Sequence, residues 1–191
     1  MSKQNNPKPT DLQLYFLVMR AQVGDENAFQ GLFLKFSKST LRFLQNLVKD
    51  QQAEDLNQEV WLTIYKRVAS LSEPKRFKTW LFQIARNKAL DYFRSSKRDS
   101  EFQEMMTKDH NDLQERSVDD EVELLNNQVV HEALQQLSTK LREVLVLNFL
   151  EGMDYDEIAL ITGCSLGTVK SRIYNGKQKI KELIKTKIEE S

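Results

Sequence analysis

The residues best suited to chemistry lie near the C-terminus, where short polar side chains alternate with basic ones at helical spacing. Polar side chains of this length reach base edges in a major groove, while lysine and arginine neutralise phosphates. A solvated face on an ordinary amphipathic hairpin is the alternative interpretation. The candidate DNA contacts in this segment are Thr168, Lys170, Ser171, Arg172, Asn175, Gln178 and Lys179.

A short helix, a tight turn and a second helix are predicted to position these residues. Asp154 and Glu157 have the spacing of a capping box. Gly163 stands where the first helix must stop, and Ser165 can cap the second. The apolar residues of the second helix fall on one side: Leu166, Val169, Ile173, Ile180 and Ile184. The pattern predicts a helix-turn-helix, which lays its second helix in the major groove.

A second candidate site lies on a helix predicted from about residue 78 to residue 94. Gln83, Arg86, Asn87, Leu90 and Arg94 are three or four residues apart, so we expect them on one exposed stripe. Amide and guanidinium groups suit a DNA strand, and neighbouring aromatic rings can stack on unpaired bases. Core packing is the alternative for those rings. The candidate DNA contacts here are Lys75, Arg76, Lys78, Gln83, Arg86, Asn87, Arg94, Lys97 and Arg98.

The preceding helix carries a different surface, acidic and rich in amides. Acidic groups repel DNA, so this face is predicted to meet a basic protein partner. The candidate partner contacts are Asp55, Leu56, Gln58, Glu59 and Trp61.

Charge is segregated along the 191 residues, although 28 basic and 28 acidic side chains give a formal net charge of zero. Residues 75–98 and 165–187 are strongly basic, and residues 99–123 between them are acidic. Two basic blocks on either side of an acidic connector suggest two polyanion-binding modules. Solvated helix faces would give similar charge runs.

Composition excludes several classes of protein. One cysteine excludes an internal disulfide framework, and with two histidines it argues against a metal centre. No phosphate-cradling glycine loop or nucleophile setting is present, and His131-Glu132 lacks the second histidine of a zinc-protease motif. We therefore expect no enzyme activity, no metal and no cofactor. The apolar runs are too short for a membrane span or a signal core, so we expect a cytoplasmic protein without membrane insertion.

The sequence predicts an all-α protein with two small helical domains. Six glycines and three prolines are few, which favours helices. The predicted organisation is a disordered tail at 1–10, a helical domain at 11–98, a flexible acidic linker at 99–121 and a helix-turn-helix domain at 122–188.

Five motifs in a fixed order resemble the sigma factors of bacterial RNA polymerase, in the compact extracytoplasmic-function (ECF) branch. The first three lie in the N-terminal half: GDENAF at 24–29, AEDLNQEVW at 53–61 and FKTWLFQIARNKALD at 77–91. The other two are LSTKLREVL at 137–145, followed by EG at 151–152, and GTVKSRI at 167–173. The resemblance covers nearly the whole chain and is more specific than a helix-turn-helix alone.

The resemblance implies a fold and a function. The N-terminal domain would be sigma region 2, which docks on the β′ clamp helices of the polymerase and recognises and melts the minus-ten element. The C-terminal domain would be region 4, which meets the β flap and binds the minus-thirty-five element. Asn87 would line the pocket for a flipped base. Partners would be core RNA polymerase, promoter DNA and an anti-sigma protein, although nothing in the sequence encodes the last visibly. A stand-alone helix-turn-helix regulator is the alternative function.

Overall fold

The computed structural model describes residues 9–48, 50–95 and 128–189. Four helices form the N-terminal module, and two short 3₁₀ turns, Val68–Ser70 and Pro74–Arg76, separate the third from the fourth. The helices are α1 (Pro9–Gln22), α2 (Glu26–Leu47), α3 (Asp50–Arg67) and α4 (Phe77–Ser95).

The C-terminal module has four further helices, with a five-residue π-helical turn, Val146–Leu150, after the second. They are α5 (Gln128–Gln135), α6 (Thr139–Leu145), α7 (Tyr155–Thr162) and α8 (Leu166–Glu189). The described residues contain no strand, which confirms the predicted all-α class. The predicted tail lies almost wholly outside the described residues, and the predicted linker lies entirely outside them.

Local capping signals set where helices begin and end. The Asp25 carboxylate accepts the Ala28 N–H at 3.0 Å and begins α2. Asp154 and Glu157 form the predicted capping box at the start of α7, and Gly163 ends that helix at φ +70°. This left-handed conformation is one that glycine adopts without steric cost.

Aromatic rings hold the N-terminal module together. Phe43 of α2 and Phe82 of α4 are fully buried and meet edge to face with ring centroids 5.3 Å apart. Phe36 and Phe77 join the same two helices, with centroids 5.7 Å apart. Burying side chains of this size contributes about 1.5–3 kcal/mol each, so these pairs fix α4 against α2.

Gly176 lies where two helices of the C-terminal module approach each other closely. A Cβ at this position would stand 2.7 Å from Cδ1 of Leu145 on α6. Ile173 and Val169, about one and two turns earlier on α8, are fully buried. The glycine therefore lets α8 lie directly on α6, as close packing of side chains requires.

The two modules are packed together. Helix α4 lies against α7, and α2 lies against α6 and the π-helical turn. Buried apolar residues of both modules belong to one contiguous core. In this arrangement the first helix of the helix-turn-helix covers part of the basic helix of the other module.

Candidate nucleic-acid and protein interfaces

The helix-turn-helix presents most of its predicted contacts to solvent. The Ser165 hydroxyl accepts the Thr168 N–H at 3.1 Å and begins α8, as predicted. The buried residues Ile158 and Ile173 fix α7 and α8 within this module. The predicted apolar side of α8 is buried or half-buried except at Leu166, which is exposed. Lys170, Gln178 and Lys179 are exposed, and Thr168, Ser171 and Asn175 are half-buried.

Arg172 differs from its neighbours because its side chain lies inside the module. It is 3% exposed, and its Nη1 donates to the Cys164 sulfur at 3.0 Å. It lies three residues after Val169 and four before Gly176, both buried, so helical spacing already places it on the inner side of α8. In this form Arg172 is not available to read a base.

The N-terminal candidate site is divided between solvent and the other module. Lys75, Arg76, Asn87 and Arg94 are exposed, while Lys97 and Arg98 lie outside the described residues. Lys78 donates to the backbone carbonyl of Glu151, and Gln83 Nε2 donates to the Leu160 carbonyl at 3.0 Å.

The expectation of one exposed stripe on α4 is wrong at Arg86 and Leu90, which are buried. Arg86 Nε lies 2.7 Å from Glu143 Oε1, and the two side chains are 8% and 1% exposed. The physical reason is tertiary, because residues of the C-terminal module cover this side of the helix.

Glu143 is the electrostatic centre of the contact between modules. Burial raises the pKa of its carboxyl, against the lowering effect of the Arg86 and Arg172 guanidiniums. Its second oxygen, Oε2, is buried and accepts no hydrogen bond from the part of the chain that the structure describes. The two arginines therefore offset the desolvation of this carboxylate only in part.

The acidic face of α3 is accessible at Asp55, Gln58 and Glu59, but Leu56 and Trp61 are buried. The Trp61 indole N–H donates to Thr40 Oγ1 at 3.2 Å, which ties α3 to α2. Leu56 and Trp61 therefore hold the helix in place rather than meeting a partner. Glu59 is also engaged, since Lys88 Nζ lies 2.8 Å from its carboxylate.

An apolar patch beside this face was missed by the sequence reasoning. It consists of Phe33, Leu62 and Tyr65, which are 40%, 59% and 58% exposed, and the half-buried Phe29, whose ring lies 5.1 Å from that of Tyr65. The signal was present in the spacing, because Leu62 and Tyr65 follow Gln58 by four and seven residues on one side of α3. Exposed apolar side chains next to acidic ones mark a protein interaction surface.

Within residues 9–48, 50–95 and 128–189, no group of three or more His, Cys, Asp or Glu side chains is arranged to hold a metal ion. None of the helices in those ranges is both long and apolar enough to cross a membrane.

A basic helix-turn-helix packed against a second basic helical bundle defines an all-α DNA-binding protein of the transcriptional class. Sigma-70 region 2 matches residues 32–99, and Sigma-70 region 4 matches residues 127–180. The chain is 32% identical over 188 residues to the RNA polymerase sigma-H factor of Pseudomonas aeruginosa, covering 92% of this chain and 95% of that one. It is 30% identical to the ECF RNA polymerase sigma-E factor of Haemophilus influenzae, covering 88% and 93%. The chain therefore belongs to the ECF sigma factors, initiation factors that direct promoter-specific transcription.

Solved structures agree with the fold. The sigma factor RpoE in complex with the anti-sigma factor NepR from Bartonella quintana matches with a TM-score of 0.63 and 27% identity, covering 82% of this chain and 96% of that one. CnrH in complex with the cytosolic domain of CnrY matches with a TM-score of 0.65, covering 91% and 97%, and its 20% identity supports the fold alone. Family and fold class are thus confirmed, and the region 2 match is not expected of a stand-alone helix-turn-helix regulator.

Proposed function

We propose that this chain binds core RNA polymerase through α3, recognises and melts the minus-ten element with α4 and the turns before it, and binds the minus-thirty-five element with α8. The observation that carries the proposal is the coincidence of two patterns. Regions 2 and 4 match the same two modules that present exposed basic and amide side chains.

The minus-ten assignment is supported by Asn87 and the bases around it. Asn87 is exposed although Arg86 before it and Ala89 and Leu90 after it are buried. An exposed amide on a rigid helix can hydrogen-bond the edge of a base that has left the stack. Opening the duplex costs a few kcal/mol per step, which captured bases and phosphate contacts offset. We expect Asn87→Ala to change base preference within the minus-ten element, as measured by start-site mapping on a promoter library.

The minus-thirty-five assignment is supported by the exposed side of α8. Lys170, Gln178 and Lys179 are exposed on this 24-residue helix. A lysine that meets a phosphate adds salt dependence without sequence preference, so Lys170→Ala should reduce the slope of log affinity against log salt by about one. An unchanged slope would show that Lys170 does not reach the DNA.

The polymerase assignment is supported by the acidic face of α3 and the apolar patch beside it. An acidic rim supplies specificity for a basic partner, and the apolar side chains supply buried area. A protein of the anti-sigma kind, as found in the solved structure with the sigma factor RpoE, is a further proposed partner. The proposed location is the bacterial cytoplasm, where the polymerase acts, and no cofactor is required.

Transcription by core polymerase with the added chain tests the proposal. We expect specific start sites that are absent without the chain, and binding of the chain to core polymerase. Failure of both would overturn the proposal.

A charge reversal on α3 separates polymerase binding from DNA binding. Glu59→Lys is a poor probe, because the new lysine would face Lys88. Asp55→Lys is cleaner, since Asp55 is exposed. We expect Asp55→Lys to lose affinity for core polymerase. Glu182→Lys is the matched charge reversal at an exposed position of α8, and we expect it to keep that affinity. Equal polymerase binding by both variants would exclude the acidic face of α3 as a docking surface.

A further inference from the structure

An ion pair between the modules is buried on both sides. Arg86 comes from α4 and Glu143 from α6, and their side chains are 8% and 1% exposed. A second ion pair between the modules, Arg42–Glu151, also has a nitrogen-to-oxygen distance of 2.7 Å, but its arginine is 49% exposed while its glutamate is 3% exposed. Solvent weakens an exposed pair, whereas a buried arginine that loses its partner keeps the full cost of desolvation.

Glu143 also faces a second arginine. The charge of Arg172, from the recognition helix α8, acts on the same carboxylate. One acidic side chain thus bonds Arg86 of α4 and lies within electrostatic reach of Arg172 of α8, both of them helices that are proposed to contact DNA. Arg86 cannot reach a phosphate while this arrangement persists, because it is enclosed between α4 and the C-terminal module.

The closed arrangement conflicts with simultaneous binding of both promoter elements. Elements named for positions ten and thirty-five are about 25 base pairs apart, on the order of 80 Å of duplex at ~3.4 Å per base pair. In the structure, Gln83 of α4 and Leu160 of α7 are joined by a 3.0 Å hydrogen bond. The modules must therefore separate before both elements are bound.

We propose that the Arg86–Glu143 pair is a latch that keeps the free chain closed and withholds Arg86 from DNA until the modules separate. The inference rests on the proposed function, since it takes α4 to be a DNA-binding helix. In the latch, Glu143 Oε1 accepts a hydrogen bond from Arg86 Nε at 2.7 Å, and both side chains are buried.

The surroundings of the latch suit a contact that opens. Several neighbouring bonds between the modules are single polar contacts that water can replace: Thr79 Oγ1 to Glu157 at 3.0 Å, Gln83 to the Leu160 carbonyl, and Lys78 to the Glu151 carbonyl. Contacts of this polar kind resemble transient rather than permanent interfaces. Removing one partner of a buried pair leaves an uncompensated charge in the contact, so the closed arrangement depends on Arg86 more than on these exchangeable bonds.

Distance measurements between two spin labels, in the absence of polymerase and DNA, test the latch. The labels are placed on Lys66→Cys of α3 and Glu182→Cys of α8, both exposed, in a Cys164→Ser background that keeps an acceptor for Arg172. We expect the parent chain to give a short, narrow distance distribution. Arg86→Met, which fills a similar volume without charge, should lower the ratio of closed to open chains at least about tenfold.

Arg76→Met is the matched control, since the same substitution removes the arginine of an ion pair, Arg76–Glu73, whose side chains are 60% and 59% exposed. We expect its closed fraction to change less than about twofold, because exposed pairs contribute little. The latch is overturned if Arg86→Met gives the same distance distribution as the parent chain, or if both variants lower the closed fraction equally. It is also overturned if the parent chain is already open. If circular dichroism shows that Arg86→Met loses helical content, Arg86→Lys takes its place. We expect Arg86→Lys to lower the closed fraction by a smaller amount. A distance distribution equal to that of the parent chain would then contradict the proposal.

Transcription by the unmodified chain is measured separately. If the unmodified chain supports promoter-specific transcription but the Arg86→Met chain stays closed, the latch is overturned and the proposed function stands. Conversely, a chain that opens on Arg86→Met but supports no promoter-specific transcription supports the latch as a conformational device and overturns the proposed function.

Discussion

Helices α4 and α8 are both basic and both expected to contact DNA, yet a buried arginine on each helix is covered by a different part of the molecule. Arg86 of α4 is enclosed by an acidic residue of the other module, at 2.7 Å from Glu143. Arg172 of α8 is enclosed within its own module, where it donates to Cys164. The lysines and amides of both helices are largely exposed or half-buried, with Lys78 and Gln83 bonded to carbonyls of the other module.

The comparison teaches that positive charge on a DNA-facing helix does not by itself identify a DNA contact. The burial of Arg172 follows from the fold of one module and should persist when the modules separate. The burial of Arg86 follows from docking and should disappear. Variants at Arg172 should therefore affect stability, while variants at Arg86 should affect the closed arrangement.

The largest effect is expected at Arg172. Arg172→Ala removes a buried side chain and its hydrogen bond to Cys164, leaves a cavity inside the module, and should lower the free energy of unfolding by about 3 kcal/mol. Urea unfolding followed by circular dichroism measures it. Lys170→Ala, an exposed neighbour on the same helix, should stay within about 0.5 kcal/mol. Unchanged stability in Arg172→Ala, with weaker binding to minus-thirty-five DNA, would contradict a structural role.

Gly176 gives a second test of the difference between α8 and α4. It lets α8 lie close to α6, whereas no glycine lies where α4 meets α2. Gly176→Leu adds a side chain where even a Cβ lies 2.7 Å from Leu145. Overpacking of this kind costs about 1–3 kcal/mol. Thermal unfolding of the variant tests the expectation. A variant as stable as the parent would mean that α6 and α8 can move apart without loss.

The start of α7 offers a smaller effect. Asp154→Ala removes the capping box and should cost about 1 kcal/mol. Ser138→Ala is the control, since Ser138 precedes α6 without a side-chain capping bond and should change stability by less than about 0.5 kcal/mol. Equal losses in both variants would show that the cap at Asp154 contributes nothing specific.

The N-terminal module has a cap of its own, with a pH dependence. The Ala28 N–H, and after it Arg20, lowers the pKa of Asp25 below 3.8. A lowered folded-state pKa means that Asp25 stabilises the fold above pH 3.8 and loses this contribution as pH falls through the folded value. Relative to Asp25→Asn, which does not titrate, the parent chain should lose stability only in that acidic range. A constant difference down to pH 2 would contradict the shift.

Sequence reasoning identified the helix-turn-helix because its signals are local. Asp154, Glu157, Gly163 and Ser165 lie within twelve residues and act on neighbouring backbone groups. Asn87 and Lys170 are exposed, as predicted, although the same periodicity wrongly placed Arg86 and Leu90 on the exposed stripe. Periodicity was equally able to place Arg172 inside, but its charge suggested the surface.

The sequence alone determined the helices, their caps, the family motifs and the segregation of charge, because each depends on residues close together in the chain. The tertiary structure decided which basic residues are withheld from solvent. Glu143 is 57 residues from Arg86 along the chain, and no local pattern predicts that pairing. Trp61 is buried for a similar reason, since its indole meets Thr40 on another helix. Whether a side chain is buried depends on which residues of other helices pack against it, and that packing exists only in the folded tertiary structure.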